Sequence, residues 1–448
     1  MNHSKVKNMT RGNIVWLLLS FAAPMLVGNI FHQLYNMVDS VIVGNFVGAY
    51  SLGAIGACSS LNFMTFGFCN GVSLGIGVVM AQFFGAGRDA EVKKTIVNGT
   101  VIVLAITVVF STACTLLASG ILHLLRTPET YIQESITYFR ITVAGMIGIA
   151  GYNAVAAMLR ALGDSRTPLM FLVLSSVINI GLDLLLVLRF GMGVAGVAVA
   201  TVVAQVISAI SCALYAVRTN PYFRLTGADL KIDWTLIRRC LRMGIPIGLQ
   251  NALISFSSVS LQGVVNGFGP DAATAYTMTL RLEQLIQQPY ASLSAAISSF
   301  TGQNIGAGQQ ERVRRGLFVG IAITAGFSAV MCGIMHLFGR PVLGIFGDDG
   351  GILDIAVRAI KITSCFYFPL GMIDLIRGLS NGAGDSLQAL LNGVVEILCR
   401  ISLGILLTRI PFIGMWGIWM TTAATWCIAA GECVIRYLQG KWRKCGTA

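Results

Sequence analysis

Gln82-Phe83-Phe84-Gly85-Ala86-Gly87, with Val92 five residues on, returns as Gln303-Asn304-Ile305-Gly306-Ala307-Gly308 with Val313. The two copies lie 221 positions apart. Gly163-Asp164-Ser165 returns as Gly384-Asp385-Ser386 at the same spacing, and Pro24 and Pro246 stand 222 apart. Three motifs in register identify an internal duplication. Between the copies runs RTNPYFRLTGADLKIDW (218–234), the most polar connector of the chain. The expected organisation is an N-lobe, residues 1–217, a linker, 218–234, and a C-lobe, 235–448.

Both halves are made of lipid-compatible sequence. Of 448 residues 55% are hydrophobic and 11% charged, with a mean hydropathy of +0.76. A soluble domain carries roughly 25% charge, and a disordered chain is poor in apolar residues. The composition therefore specifies an all-α polytopic membrane protein. A helix needs about 20 apolar residues to cross the hydrocarbon core. Apolar runs fall at 14–45, 51–84, 94–122, 132–158, 168–189 and 194–217, then at 235–266, 272–301, 314–338, 352–379, 387–408 and 413–437. Those are twelve transmembrane helices, six per half. An even number inserts both halves in the same orientation. Two six-helix lobes related by a pseudo-twofold axis along the membrane normal follow, with a cavity between them.

The net charge of +12 invites a nucleic-acid reading, but its distribution answers otherwise. With the N-terminus inside, 21 Lys and Arg fall in inner segments, against four in outer ones: Arg126, Arg189, Arg340 and Arg409. That asymmetry is the positive-inside pattern for both termini cytoplasmic. No nucleic-acid partner is implied. The short basic N-terminus, with Lys5, Lys7 and Arg11, lacks a cleavage pattern, so the first span reads as retained. The eleven cysteines include no Cys-x-x-Cys pair and no zinc spacing with His. They read as small buried apolar residues; His32, His123 and His336 are isolated and read as space-fillers, with a place at the border of the cavity open for His32.

Acids inside apolar runs carry the chemistry, because a carboxylate at mid-membrane costs about 2.5–3.5 kcal/mol on insertion scales. Asp39, Asp183, Glu283, Asp374 and Glu396 lie there. Arg400, one turn beyond Glu396, is its expected ion-pair partner. Asn179 precedes Asp183 by four residues and shares its helix face. With Thr201 on the next helix and Asp39 on the first, the N-half presents hard oxygen ligands suited to Na⁺, or a carboxyl pair that holds a proton. No other metal site is expected. The C-half equivalents of Asn179 and Asp183 are Arg400 and Gly404, so this site is not duplicated. Glu283 and Asp374 instead mark a separate C-half site for substrate or a second cation. Pro24, Pro246, Pro289 and Pro369 are candidate kinks, and the glycines at 67, 71, 75 and 77 suit tight helix packing. The Gly191-x-Gly193-x-x-Gly196 stretch follows a membrane helix rather than a strand and carries no dinucleotide reading.

Taken together, the chain resembles the multidrug and toxic compound extrusion (MATE) family, in its bacterial NorM-, DinF- and MepA-like branch. Pro24 and Asp39, Gln82 with Gly85-Ala86-Gly87, Arg160 with Gly163-Asp164, Asn179 with Asp183, and the second-half copies carry the resemblance over essentially the whole chain. It implies a bacterial plasma-membrane antiporter that expels bulky amphiphilic, often cationic drugs in exchange for Na⁺ or H⁺. It implies no cofactor, no enzymatic activity, a monomer, and lipids as the only other partners. By resemblance, Asp39, Asn179, Asp183 and Thr201 match the N-lobe cation site, and Glu283 and Asp374 match C-lobe acids. Two other classes stay open on the sequence. A lipid-linked precursor or polysaccharide flippase shares the layout but needs a more cationic cavity, for which Arg281 and Arg377 are the candidates. A membrane-embedded enzyme needs a motif such as His-Glu-x-x-His or Gly-x-Ser-x-Gly, and none occurs.

Overall fold

The computed structural model describes residues 6–125, 127–347 and 350–443. Lys5, Arg126, Lys444 and Cys445 lie outside the described residues. The first half holds α1 (Ile14–Phe46), α2 (Ala49–Gly85), α3 (Asp89–Leu124), α4 (Ile132–Ala144), α5 (Met146–Ala161), α6 (Arg166–Asp183) and α7 (Gly193–Thr219). The second holds α8 (Trp234–Asn266), α9 (Pro270–Gly306), α10 (Gln310–Gly344), α11 (Gly350–Ser364), α12 (Tyr367–Ala383), α13 (Ser386–Thr408) and α14 (Gly417–Leu438). Among the described residues there is no strand. Lipid offers no hydrogen-bond partner to a backbone, so each segment must satisfy its own N–H and C=O groups.

Counting α4–α5 (bent by 42°) and α11–α12 (bent by 53°) as single units leaves twelve among the described residues, as the apolar runs anticipate. The duplication survives in length. α1 and α8 have 33 residues each, and α2 and α9 have 37 each. At 1.5 Å per residue these reach about 50–55 Å, well beyond the ~30 Å hydrocarbon core.

Up to ten units are apolar and long enough to cross a membrane, and α8 and α9 fall short in hydropathy. The reason is their position. α8 packs along α2, and α9 along α1, α2 and α12, so much of their surface meets protein rather than lipid. α9 buries Thr279, Glu283, Ser292, Thr301, Gln303 and Asn304. Pro24, Pro246 and Pro289 sit inside α1, α8 and α9. Pro369 falls instead in the first turn of α12, just after the 53° bend, where its missing N–H removes no helical bond.

Close backbone approach holds the halves together. A Cβ on Gly71 would overlap Gly248, and one on Gly75 would overlap Gly244, so glycine faces glycine across α2 and α8. The cores exchange ends as well. Leu17, Leu18 and Phe21 at the start of α1 join the hydrophobic core built mainly by the second half. Leu236, Ile237 and Cys240 at the start of α8 join the core of the first half. The 218–234 segment is ordered against α3, where Asn98 donates to the Lys231 carbonyl (3.3 Å) and accepts from the Asp233 N–H (2.9 Å).

The duplicated Gln-x-x-Gly-Ala-Gly motifs meet each other at the basic end of the bundle. Gln82 Nε2 donates to the Gly382 carbonyl (3.1 Å) and Gln303 Nε2 to the Ala161 carbonyl (2.9 Å), and both donor and acceptor pairs are related by the 221-residue repeat. A Cβ on Gly85 would overlap the Gln303 carbonyl, and one on Gly306 the Gln82 carbonyl. The N-terminal segment lies across this seam. The Lys7 N–H donates to the Leu162 carbonyl (3.0 Å) and the Met9 N–H to Gln303 Oε1 (2.7 Å), tying both halves to one strand of backbone. The bundle is therefore closed at its basic end.

The uniform reading of the cysteines is corrected. Cys58, Cys69, Cys212, Cys240 and Cys433 are buried, but Cys365 and Cys427 are exposed and Cys114, Cys332 and Cys399 are half-buried. A thiol is apolar enough to face lipid as readily as a core.

Candidate functional site

Asp39 comes from α1, Asn179 and Asp183 from α6, and Thr201 from α7. Asn179 and Asp183 share one face because α6 stays α-helical through Asp183. Immediately after it the helix widens into a π-turn over Leu184–Arg189, a rare geometry that concentrates at functional sites. Positive φ at Gly191 (63°) and Gly193 (56°) then turns the chain into α7, which is what that glycine stretch does.

Asn179 Nδ2 donates to Thr201 Oγ1 (3.4 Å), so the amide oxygen points away from α7. Asp183 is fully buried and lies against the Asp39 carboxyl. Asp39 Oδ1, Asn179 Oδ1 and both Asp183 carboxyl oxygens are buried with no hydrogen-bond partner. Among the described residues these four acceptors have no donor, and the two carboxyls lie against each other. Each buried unsatisfied polar group costs about 1–3 kcal/mol, and more when charged. Such a cluster is complementary to a cation. Thr201 thus reaches Asn179, Asn179 stands one turn before Asp183, and Asp183 lies against Asp39.

Sequence reasoning missed the surrounding shell. Tyr35 of α1 and Tyr138 of α4 stand within electrostatic reach of both carboxylates. Gln205 of α7 bonds Tyr35, whose hydroxyl also lies 3.2 Å from His32 Nε2. Gln205 sits four residues after Thr201, and that spacing was the available signal.

The C-half acids are differently placed. Glu396 pairs with Arg377 of α12 (2.6 Å), not with Arg400 as its own helix suggested. Arg377 also bonds Asn392 (2.6 Å) and lies 3.5 Å from Asp374. Arg400 is instead the cation acting on Glu283. Intrahelical spacing lost to a cross-helix partner because α12 and α13 present these side chains to each other. Glu283 and Asp374 hold separate partners rather than a shared one. Tyr367 lies by Glu283 and Tyr290, and Tyr290 by Asp374, so two tyrosines connect them. Glu283, Asp374 and Glu396 thus each have an arginine acting on them, whereas among the described residues no cationic side chain is recorded against the N-half pair.

Removing one member of the Arg377 network leaves buried charge behind. Arg377→Ala is expected to cost about 3–5 kcal/mol. The check is a marked drop in the thermal unfolding temperature of the detergent-solubilised protein, while an unchanged value counts against the network.

A duplicated helical membrane bundle with buried carboxylates that lack partners is the arrangement of a transporter. The MatE family model matches residues 24–185 and 246–406, one stretch in each half. The chain belongs to that family, the MATE multidrug efflux transporters. It is 28% identical to the probable multidrug resistance protein YpnP of Bacillus subtilis, covering 98% of each chain. It is 25% identical to the probable multidrug resistance protein NorM of Thermotoga maritima, covering 95% of this chain and 93% of that one. Among solved structures, an outward-facing multidrug resistance MATE transporter of the MOP superfamily superposes with a TM-score of 0.91 at 21% identity, covering 98% of each chain. At that identity the likeness establishes the fold.

Proposed function

We propose that the protein is a Na⁺- or H⁺-coupled antiporter that exports bulky amphiphilic, often cationic compounds by alternating access. Asp39, Asn179, Asp183 and Thr201 bind the coupling cation. Glu283 and Asp374 lend negative potential to the substrate path. In this reading the protein is a monomer in the bacterial plasma membrane with both termini cytoplasmic, and it needs no cofactor. The lobes are residues 1–217 and 235–448, joined by 218–234.

The observation that carries this reading is the set of four buried acceptors without a donor. A cation arriving there relieves their desolvation, and its differential affinity for two states is what moves the bundle. The basic end is sealed by Gln82 and Gln303 in this state, so the cation site is reached from the opposite end and the drug leaves the same way. A flippase is disfavoured by the same chemistry. Arg377, a candidate phosphate ligand, is already engaged by Glu396 and Asn392 at 2.6 Å.

Dye transport in everted vesicles, with Na⁺ and H⁺ gradients imposed separately, tests the proposal. One gradient is expected to drive dye accumulation and the other to be inert. Transport indifferent to both overturns cation coupling.

A further inference from the structure

Cys332 and His336 stand one turn apart on α10, and Cys365 lies at the 53° bend between α11 and α12. One ligand atom from each, two thiol sulfurs and an imidazole nitrogen, gathers within 4.8 Å. We propose that these three residues bind one thiophilic divalent cation of the zinc class, fastening the bend to α10.

The donor set is of the right kind. Two thiols and an imidazole suit soft or borderline ions, in contrast to the hard oxygens around Asp39 and Asp183. The imidazole is also oriented for it. His336 Nδ1 lies 3.0 Å from the Cys332 carbonyl, so an Nδ1–H donated there fixes the tautomer and leaves the Nε2 lone pair free. Metal-ligating histidines are held this way. Nε2 faces the Cys365 sulfur at 4.0 Å, and the Cys332 sulfur stands 3.7 Å from Nδ1, so it must swing toward Nε2 to share an ion with it.

A tetrahedral zinc with bonds of about 2.3 Å to sulfur and about 2.0–2.1 Å to nitrogen separates those atoms by about 3.6 Å. Small side-chain rotations therefore close the site. Each thiol gives its proton to solvent on binding. Three protein ligands leave a fourth position for water.

Access favours binding too. His336 and Cys365 are exposed, and Arg340 pairs with Asp354 (2.6 Å) on the same two helices. Arg340, one turn beyond His336, and Asp354 put a charged pair on the α10 and α11 surface beside the cluster. Short-range spacing hides the site, because 29 residues and a helix bend separate His336 from Cys365.

Purified full-length protein, stripped of metal and reduced, is titrated with Zn²⁺ against a chromophoric chelator. Wild type is expected to take up one ion. Cys332→Ser, Cys365→Ser and His336→Gln are each expected to weaken binding at least about tenfold, and Cys427→Ser to leave it unchanged. Zn²⁺ should also raise the unfolding temperature of wild type and not that of the Cys332→Ser, Cys365→Ser double variant. Unfolding of each variant without metal confirms that it is folded. Wild-type uptake by the double variant overturns the proposal, as does a wild-type chain that binds no ion after reduction.

Discussion

Asp39→Asn and Asp183→Asn are each expected to reduce gradient-driven dye transport to the background of empty vesicles, while leaving the protein as stable as wild type or more so. The two effects have one cause. Three of the four carboxyl oxygens of this pair lie buried without a donor, so in the proposed mechanism the site stores an electrostatic penalty that a bound cation removes. An amide of the same shape removes the penalty permanently. It also removes the cation's reason to prefer one state. Inverting a two-state equilibrium from 1:99 to 99:1 takes about 5.5 kcal/mol of differential binding, and a neutral site supplies little of it. The contrast lies in the other half. Glu396→Gln deprives Arg377 of its partner at 2.6 Å and should lower stability. Full transport by Asp39→Asn vesicles would sink the coupling assignment.

Gly85→Ala and Gly306→Ala are expected to open the basic end and abolish efflux without touching the proposed cation site. Each added methyl would overlap a glutamine carbonyl of the opposite half, and backbone has little room to yield. Overpacking costs about 1–3 kcal/mol, enough to shift a two-state population about 5–150-fold. The penalty falls only on the state closed at that end. The N-terminal segment reports the shift, since the Lys7 and Met9 amides bond Leu162 and Gln303 across the seam. Hydrogen exchange at residues 7–9 should accelerate in both variants. Wild-type exchange together with wild-type efflux would show that the seam is not a gate. Because the two glycines are related by the repeat, the two variants should behave alike.

Asp39, Asn179, Asp183 and Thr201 were legible in the sequence for a definite reason. A carboxylate in an apolar run is costly wherever it points, and an amide four residues away shares its face in any α-helix. Tyr35, Tyr138 and Gln205 carry no such signature, because a tyrosine or glutamine in a membrane helix is a smaller anomaly. Only the packing of α1 against α6, and of α4 and α6 against α7, assembles them around the acids.

The sequence by itself determined the class, the duplication, the helix count and the acids that lie inside the apolar runs. These rest on quantities local to the chain: hydropathy, the distribution of positive charge, and a 221-residue spacing. The tertiary structure alone decided which groups meet across helices. It set Glu396 against Arg377 rather than Arg400, brought the Gln82 and Gln303 carbonyls against Gly306 and Gly85 of the opposite motif, and gathered Cys332, His336 and Cys365. Spacing fixes which face of a helix a residue occupies. It does not fix what another helix presents to that face.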